Sequence, residues 1–283
     1  MMGNMTTDSD LATEFVRAWL PGSTLTPLTA MNSSTWAVDA NGERFVLKIA
    51  AATDEPGLHA AVCLESRGIR TGAPLQIERR DDRSIALLRF VDGTALVASD
   101  APLIGATLGK VHVAIRDCPT PSGMDVWPWG WLDTARISDP ELGASAAEAV
   151  HRALDLAPLL THGILHGDPA PEAFLATDTD VALIDWGASC HGPLLYDVAS
   201  AVMYAGRDVV TGYRTNGPLD DNELEHVDVF RALRWAVQAI YFSGRIAADD
   251  LTGIADASEN EKGLGDARAG LANSLHGETI SER

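Results

Sequence analysis

Two aspartates that each follow a short apolar run, seventeen residues apart, constrain the fold of this chain more than any other feature. Asp168 comes after Gly163-Ile-Leu-His-Gly, and Asp185 ends the run Val181-Ala-Leu-Ile. Short apolar runs bounded by Gly, Pro and Asp are typical of buried strands. The spacing therefore predicts a hairpin whose strands present both carboxylates to one cleft.

These two carboxylates and one lysine are the parts that phosphoryl transfer needs. Asp168, on a proline-rich loop, can take or orient the proton of an acceptor hydroxyl. A carboxylate at the end of a buried strand costs free energy unless a charge satisfies it, and Mg²⁺ bound to nucleotide phosphates would satisfy Asp185. Lys48, in the strand-like run Phe45-Val-Leu-Lys-Ile, can pair with the α and β phosphates.

Glu55 is the candidate partner of that lysine. It lies at the start of a predicted helix that begins near Pro56, where a carboxylate can orient Lys48 through an ion pair. His59 lies one helical turn later and competes for the same position, so the sequence leaves both open.

The predicted elements divide the chain into a small and a large lobe. The first part contains a helix at residues 8–20, a hairpin around Asn41-Gly42, a helix ending at Gly68 and a strand closed by Asp92-Gly93. From Pro102 onward the apolar spacing is mostly helical. We predict an α+β fold with a nucleotide-binding lobe at residues 1–92 and a catalytic and substrate-binding lobe at residues 93–283.

Charge and composition limit the partners. The 21 basic and 40 acidic side chains give a net charge of −19, which argues against a nucleic acid or an anionic membrane as partner. Residues 161–283 hold eight basic and 20 acidic side chains, so the acidity is concentrated in the C-terminal part. It either solvates the surface or attracts a cationic small molecule. No feature indicates an obligate protein partner.

The chain also lacks signals for a membrane, for export or for structural metal. No apolar run approaches the roughly 20 residues of a membrane span, and the start has no signal-peptide pattern, so we expect a cytoplasmic protein. Cys63, Cys118 and Cys190 are far apart and are expected to be buried without a disulfide or zinc. His162 and His166 are interpreted as structural, because the strand-like setting does not suit a helical metal pair.

The run from Leu165 to Ser200 resembles the catalytic core of the aminoglycoside phosphotransferase family, relatives of the eukaryotic protein kinases. The shared pattern is His-Gly-Asp, four residues, Asn, then Ile-Asp-Trp-Gly and Gly-Pro-x-x-Tyr-Asp. The resemblance extends to Lys48 and to the LGKVH segment at residues 108–112. It implies a two-lobed, protein-kinase-like fold that uses ATP or GTP with Mg²⁺. Asp168 would be the base, Asp185 the metal ligand and Lys48 the phosphate anchor.

The same resemblance implies roles for further residues. A glycine-free nucleotide loop would be formed by Asn32, Ser33, Ser34 and Thr35, and its hydroxyls would help to cover the phosphates. The segment from Arg89 through Val91 would offer backbone groups to the purine base of the nucleotide. His166 and Asp197 would brace the loop that carries Asp168 rather than contact substrate.

One position departs from the family pattern. Ala173 stands where the family has the asparagine that binds a second metal, and a methyl group cannot ligate. Glu172 could supply the oxygen, the enzyme could work with one metal on Asp185, or the chain could be a silent nucleotide binder. Because Lys48 and both aspartates persist, the sequence favours an active enzyme.

Aromatic and acidic side chains in the helical part are candidates for the acceptor site. Trp127, Trp129 and Trp131 either anchor their loop on the core or form an aromatic wall of a pocket. A second set either packs in the core or receives the acceptor: Trp235, Gln238, Tyr241, Phe242, Asp249 and Asp250.

The sequence thus predicts a small-molecule O-phosphotransferase that acts on a hydroxyl of an antibiotic. An aminoglycoside, a tuberactinomycin-type peptide and a nucleoside antibiotic are the candidates, and the acidity favours the cationic ones. A metabolic kinase of the same fold, acting on choline, homoserine or a sugar, is the alternative within the same class. A silent nucleotide-binding protein is the alternative from another class.

Overall fold

The computed structural model describes residues 7–28, 30 and 33–276. Its strands are β1 (Thr24–Leu28), β2 (Ser34–Ala40), β3 (Glu43–Ala51), β4 (Pro74–Arg80), β5 (Arg83–Arg89), β6 (Thr94–Ala95), β7 (His162–Leu165), β8 (Phe174–Ala176), β9 (Val181–Leu183) and β10 (Cys190–Pro193). Its α-helices are α1 (Asp8–Trp19), α2 (Glu55–Ser66), α3 (Ala101–Ile115), α4 (Pro140–Leu156), α5 (Leu195–Ala205), α6 (Asp208–Tyr213), α7 (Asp221–Leu224), α8 (Val227–Ala247) and α9 (Ala257–His276).

The N-terminal part is an antiparallel sheet in the order β1-β2-β3-β5-β4. The predicted turn joins β2 to β3, with φ values of 53° at Asn41 and 84° at Gly42. Both values suit the tight hairpin turn that this residue pair favours. Phe15 and Val16 of α1 pack on the sheet with the buried face of β2, β3 and β5. Lys48 therefore lies in a central strand, anchored from both sides.

The C-terminal part is mainly helical and carries two small sheets. β7 pairs with β10, and β6, β8 and β9 form the other sheet. The predicted hairpin between the two aspartate-bearing strands is wrong, because β9 pairs with β8 and β7 pairs with β10. The intervening residues 174–183 form their own hairpin. Asp168 and Asp185 still follow the ends of β7 and β9, on loops that hydrogen bonds connect.

The boundary between residues 92 and 93 stays a prediction. β5 of the first sheet ends at Arg89, and β6, beginning at Thr94, already pairs with β8 of the helical part. Three buried clusters support the molecule: one beneath the first sheet, one around α3, α5 and β7, and one between α4, α8 and α9. In the described part of the chain, no helix is long and apolar enough to cross a membrane.

The expectation for the cysteines is wrong for two of the three. Cys63 of α2 and Cys118, just beyond α3, form a disulfide across 55 residues of sequence. Cys190 is free and buried, as expected. Cys63 and Cys118 are distant in sequence, and their proximity arises only because α2 packs against α3.

Candidate active site

The loop that carries Asp168 is held from below by a buried carboxylate. Asp197 of α5, which is fully buried, accepts hydrogen bonds from the backbone N–H groups of His166 at 2.7 Å and Gly167 at 2.9 Å. His112 of α3 lies 3.2 Å from the same carboxylate. Gly167 has φ of 89°, and a Cβ there would lie 2.1 Å from the Ala188 carbonyl oxygen. The predicted bracing role of Asp197 matches these contacts.

His166 connects the two aspartate-bearing loops. Its Nε2 donates to the Ile184 carbonyl at 2.8 Å, and its Nδ1 accepts from the Asp168 N–H at 3.3 Å. The ring also packs edge-on against Trp186. One imidazole thus fixes the residue before Asp185 and the backbone of Asp168. His162 has a structural partner too, because its Nε2 lies 2.9 Å from the Ala157 carbonyl.

The Asp168 carboxylate has two donors on one oxygen. Its Oδ1 accepts from the Tyr204 hydroxyl at 2.8 Å and from Nη2 of Arg234 at 2.6 Å. No described residue donates to Oδ2, and the side chain is about half exposed at 45%. Sequence reasoning did not identify Tyr204 or Arg234. The available signal was an arginine four positions after Phe230 and four before Gln238, within a largely apolar helical run.

Asp185 pairs directly with Lys48. Nζ of Lys48 lies 2.6 Å from Oδ1 of Asp185, and Asp185 adopts the left-handed conformation with φ of 66°. Burial would raise the pKa of Asp185, but the charge and hydrogen bond of Lys48 outweigh it and lower that pKa. Its side chain nevertheless keeps 63% of its surface exposed, so the carboxylate is not enclosed as a residue ending a buried strand would be.

Asp54 lies close to this pair, and the prediction of a Lys48–Glu55 ion pair is wrong. Glu55 faces His59, with 3.6 Å between the charged groups, and its Oε2 is buried without a partner in the described residues. A Cβ on Gly187 would meet Oδ2 of Asp54 at 2.9 Å and Nζ of Lys48 at 3.4 Å. Asp54 and Lys48 therefore flank the same turn.

Burial and the neighbouring charges change the protonation of Asp54. Burial raises its pKa to about 6; Asp185 adds to this and Lys48 opposes it. The helix α2 brings Asp54 to this point because Gly57 lies against the Asp185 turn. A Cβ on Gly57 would lie 1.7 Å from the Trp186 carbonyl oxygen, so only glycine permits this approach.

The nucleotide loop stays a prediction, and the structure describes only part of it. Asn32 lies outside the described residues, whereas Thr35 pairs across the sheet with Lys48. The hydroxyls of Ser33 and Thr35 lie 3.0 Å apart. Ser34 does not join them, because its hydroxyl donates to Asp8 of α1 at 2.7 Å.

The segment from Arg89 to Val91 was predicted to contact the nucleotide base, and its two ends differ in how their backbone N–H groups are used. The Arg89 N–H is already used, because it donates to the Ala73 carbonyl at 3.2 Å. Its exposed guanidinium lies 3.9 Å from Glu65. No hydrogen bond among the described residues uses the Val91 N–H, and the Val91 side chain lies beside Gly72. Val91 therefore suits a backbone contact to a base, and the Arg89 N–H does not.

Ala173 belongs to the core. It is 7% exposed, and its carbonyl accepts from the Ile184 N–H at 2.9 Å, which brings it beside the strand that leads to Asp185. Glu172 is exposed and lines a cavity together with Asp168. The described residues contain no cluster of three or more His, Cys, Asp or Glu side chains able to hold a metal. Mg²⁺ commonly binds one or two carboxylates plus substrate phosphates, so Asp185 fits such an ion with Asp54 nearby.

A cavity of about 1400 Å³ opens beside Asp168, between the loop, α8 and α9. Its charged lining is mixed and includes Asp168, Glu172, Asp250, Asp266, Arg136, Arg234 and Arg245. Its aromatic lining includes Trp131, Tyr196, Tyr204, Trp235, Tyr241 and Phe242. The cavity is therefore aromatic, and its four acidic and three basic side chains nearly balance in charge.

Several predicted acceptor residues have structural roles instead. Trp127 and Trp129 do not line the cavity: Trp129 is buried, donates to the His191 carbonyl at 3.1 Å and stacks on Trp131. Trp235 lines the cavity and also packs its ring against Gly270 of α9. The loop-anchoring alternative thus describes Trp127 and Trp129, and the pocket-wall prediction for them is wrong.

The predicted acidic turn is only partly at the cavity. Asp250 lies 3.2 Å from Arg245 and accepts from the Thr252 N–H at 2.9 Å, a hydrogen bond that lowers its pKa. Asp249 is exposed in a turn with φ of 51° and is not part of the lining. The charge of Asp250 is thus already balanced by an arginine of the same lobe.

Comparisons with known proteins agree on the fold. Amicoumacin kinase hAmiN, solved with AMP-PNP, Ca²⁺ and Ami, gives a TM-score of 0.75 at 15% identity, over 95% of this chain and 94% of that one. A microcompartment-associated aminopropanol kinase gives 0.75 at 16%, over 96% and 98%. Choline kinase LicA from Streptococcus pneumoniae gives 0.70 at 13%, over 94% and 99%. No curated protein matches the sequence significantly.

These solved structures confirm the protein-kinase-like α+β fold, with a β-rich N-terminal part and a helical C-terminal part. A match to a family of enzymes confirms the predicted phosphotransferase class. The match covers residues 24–217, more than half of the chain, and so the chain belongs to the phosphotransferase enzyme family, APH.

Proposed function

We propose that this protein transfers the γ-phosphoryl group of ATP or GTP to a hydroxyl group of a small organic molecule. One observation carries the proposal: a lysine–aspartate pair on one side of the cleft and a half-exposed aspartate at a large cavity on the other are joined by His166. This arrangement provides a phosphate side and an acceptor side across one loop.

On the phosphate side, Lys48 would hold the nucleotide phosphates and Asp185 would hold Mg²⁺. Bound there, Mg²⁺ would neutralise charge on the phosphates during transfer. Lys48 pairs with Asp185 at 2.6 Å, so both charges are already in place for an anionic ligand and its cation. Thr35, opposite Lys48 in the sheet, offers a hydroxyl to the phosphates. A free N–H at Val91 suits either purine, which is why both ATP and GTP are proposed as donors.

On the acceptor side, Asp168 would take the proton of the acceptor hydroxyl. Its half-exposed carboxylate borders the cavity and has one oxygen without a donor among the described residues. A base must be within hydrogen-bond reach of the proton it takes, and the cavity wall meets that condition.

The cavity supports an acceptor with aromatic or apolar surface more than a polycation. Asp168 and Asp250 are each paired with an arginine, and Arg136 also lines the wall. The acidity of the C-terminal part is therefore not concentrated there, which weakens the argument for an aminoglycoside or another cationic antibiotic. The similar structures are kinases of amicoumacin, aminopropanol and choline by name, so antibiotic and metabolic acceptors both belong in the test.

The alternative function is nucleotide binding without transfer, which Ala173 alone favours. Its buried methyl group provides no metal ligand. If this alternative is correct, the protein binds nucleotide as an active kinase would, but it forms no phosphorylated product with any acceptor.

The test is product formation. Purified protein with Mg²⁺ and ATP or GTP is incubated with aminoglycosides, a tuberactinomycin, nucleoside antibiotics, choline, homoserine and sugars, and mass spectrometry detects one added phosphoryl group. We expect one acceptor class to gain it and the Asp168→Asn variant to form product at least 100-fold more slowly, with nucleotide affinity unchanged. Nucleotide binding without product from any acceptor or from water would contradict the proposal.

A further inference from the structure

Arg234 is a buried charged residue with an atom that has no partner among the described residues. It lies on α8, is only 5% exposed, and its Nε is buried without a partner in the described residues. Moving a guanidinium out of water costs free energy, and one ion pair to a half-exposed carboxylate repays that cost poorly. Stability alone would be served as well by a packed apolar side chain.

Arg245, on the same helix, shows what a purely structural arginine looks like here. It is equally buried, but it donates to Asn260 at 2.9 Å and to the carbonyls of Asp250 and Thr252 at 3.1 and 2.7 Å. These bonds tie the end of α8 to the segment that leads into α9. Arg234 has no comparable backbone contacts among the described residues, and its bonds converge on the Asp168 carboxylate.

Arg234, Tyr204 and Asp168 form hydrogen bonds to one another. Nη2 donates to Asp168 at 2.6 Å and to the Tyr204 hydroxyl at 2.9 Å, and that hydroxyl donates to the same Asp168 oxygen. Gln238, with its amide oxygen turned to the guanidinium, accepts at 3.2 and 3.1 Å. Among the described residues, every hydrogen bond to the Asp168 carboxylate goes to Oδ1, so Oδ2 remains for a ligand.

We propose that Arg234, with Tyr204, is a positioning residue for phosphoryl transfer that fixes Asp168 through Oδ1 and leaves Oδ2 to receive the acceptor proton. This inference rests on the proposed function. In the step itself, the acceptor O–H bond breaks and its proton passes to Oδ2. The acceptor oxygen bonds to the γ-phosphorus, and the bond from phosphorus to the β–γ bridging oxygen breaks with its electron pair leaving on the nucleoside diphosphate.

The benefit of such fixing is orientation. A carboxylate free to rotate presents either oxygen and many angles, whereas two donors on Oδ1 hold one orientation before the acceptor binds. Both donors come from helices of the C-terminal part, α5 and α8, rather than from the loop itself. Helix-borne donors hold the geometry more rigidly than loop residues would.

The test uses the full chain. The first assay measures ADP release from Mg·ATP with water as the acceptor. The second measures phosphorylation of two alcohol probes, choline and hygromycin B. We expect Arg234→Met to lower kcat about 100-fold with unchanged nucleotide affinity, and a melting temperature equal to or above that of the wild type. Arg234→Ala is expected to regain part of its kcat when millimolar guanidinium is added, since the ion fits the vacated space. A structural role alone would not produce this rescue.

Tyr204→Phe provides the second variant in case Arg234 variants do not fold. It removes one hydroxyl, and we expect kcat to fall about tenfold with KM for ATP unchanged. Arg268→Met is the matched control, because this half-exposed arginine of α9 pairs with Asp139, the residue before α4, and neither residue lines the cavity. A folded Arg234→Met variant with kcat within threefold of wild type overturns the inference while the proposed function stands. A wild type that releases no ADP and phosphorylates no probe overturns both.

Discussion

At the scale of residues, the site consists of five charged side chains in two groups, one on each side of His166. Lys48 takes Asp185, and Asp54 approaches the same pair without forming an ion pair. Asp168 is held by Arg234 and Tyr204 on the other side of His166. Such clusters are where pKa values depart from their ordinary range, and Asp54 is the clearest case.

The raised pKa of Asp54 means that this residue contributes less to stability as the pH rises. A carboxyl with a pKa of about 6 in the folded state and near 3.8 in the unfolded state binds its proton more tightly when folded. Its contribution to stability is complete below pH 4 and is lost as pH rises through 6. Asp54→Asn removes that loss, because asparagine does not ionise. We therefore expect the change in the free energy of unfolding caused by the substitution to be more favourable at pH 7.5 than at pH 4.5. The expected difference is about 1 kcal/mol once the partial exposure of the group is taken into account.

Urea unfolding at both pH values, without nucleotide or divalent cations, measures this difference. Asp249→Asn, at an exposed turn, is the matched control and should show none. An Asp54→Asn effect that does not change between pH 4.5 and 7.5 would show that Asp54 keeps an ordinary pKa.

Ala173 gives a second prediction about a single side chain. Its carbonyl bonds to the residue before Asp185, so an asparagine there would bring an amide oxygen close to the proposed metal ligand. We expect Ala173→Asn to lower the Mg²⁺ concentration for half-maximal activity at least threefold, and to reduce stability by about 1 kcal/mol because the site is buried. Ala173→Val adds bulk without a ligand oxygen and controls for packing. A superimposable Mg²⁺ titration would mean that another group completes the metal site.

At the scale of elements, the packing of α2 on the Asp185 turn decides which acid reaches Lys48. Gly57 allows backbone-to-backbone approach, and this contact turns Asp54 toward the pair and Glu55 toward His59. The helices α8 and α9 make a similar use of small residues, since Trp235 and Phe242 rest on Gly270 and Gly263. The glycines of α9 leave room for these aromatic rings and do not interrupt the helix.

Gly57→Ala tests the contact between α2 and the turn. The added methyl would overlap the Trp186 carbonyl, which is backbone and cannot rotate away, so α2 must shift. We expect a loss of about 2 kcal/mol of stability and at least tenfold weaker ATP binding. Gly143→Ala in α4 is the matched control: its Cβ would make only ordinary contacts, at 3.7 Å or more, and should stabilise the helix by about 0.5 kcal/mol. If both variants have wild-type affinity and stability, the close approach at Gly57 does not exist in solution.

At the scale of the whole molecule, a disulfide links α2 of the N-terminal part to the mainly helical C-terminal part. The Cys63–Cys118 disulfide links α2 to the end of α3. Disulfides are rare in the reducing cytosol, so the state of this pair also bears on the predicted cytoplasmic location.

The disulfide predicts a large effect of reduction. Closing 55 residues of the unfolded chain should contribute about 4 kcal/mol to stability by the chain-entropy account. We expect reduction, or Cys118→Ser, to lower the free energy of unfolding by that amount. Alkylation of the unreduced, denatured protein should modify one thiol, that of Cys190. Three modified thiols would show that the bond does not form.

The local patterns of the sequence were sufficient for the parts whose signal is short-range. The turn at Asn41-Gly42, the helix before Pro21 and the apolar runs before Asp168 and Asp185 depend on neighbouring residues only. The edge strands β1 and β4 were not anticipated, because most of their side chains are exposed and their pattern carries little apolar signal. Family resemblance supplied the order of the catalytic motifs and the two-lobed fold.

Tertiary structure alone decided the partners of those residues. Lys48 meets Asp185 rather than Glu55 because a helix packs through Gly57, and Asp168 meets Arg234 from 66 positions away because α8 crosses the loop. The strands expected to pair do not, and the distant cysteines do. Sequence determines a residue's chemistry and its local conformation, whereas ion pairs and cavities depend on which faces of distant elements pack together, and that choice is made by the whole core.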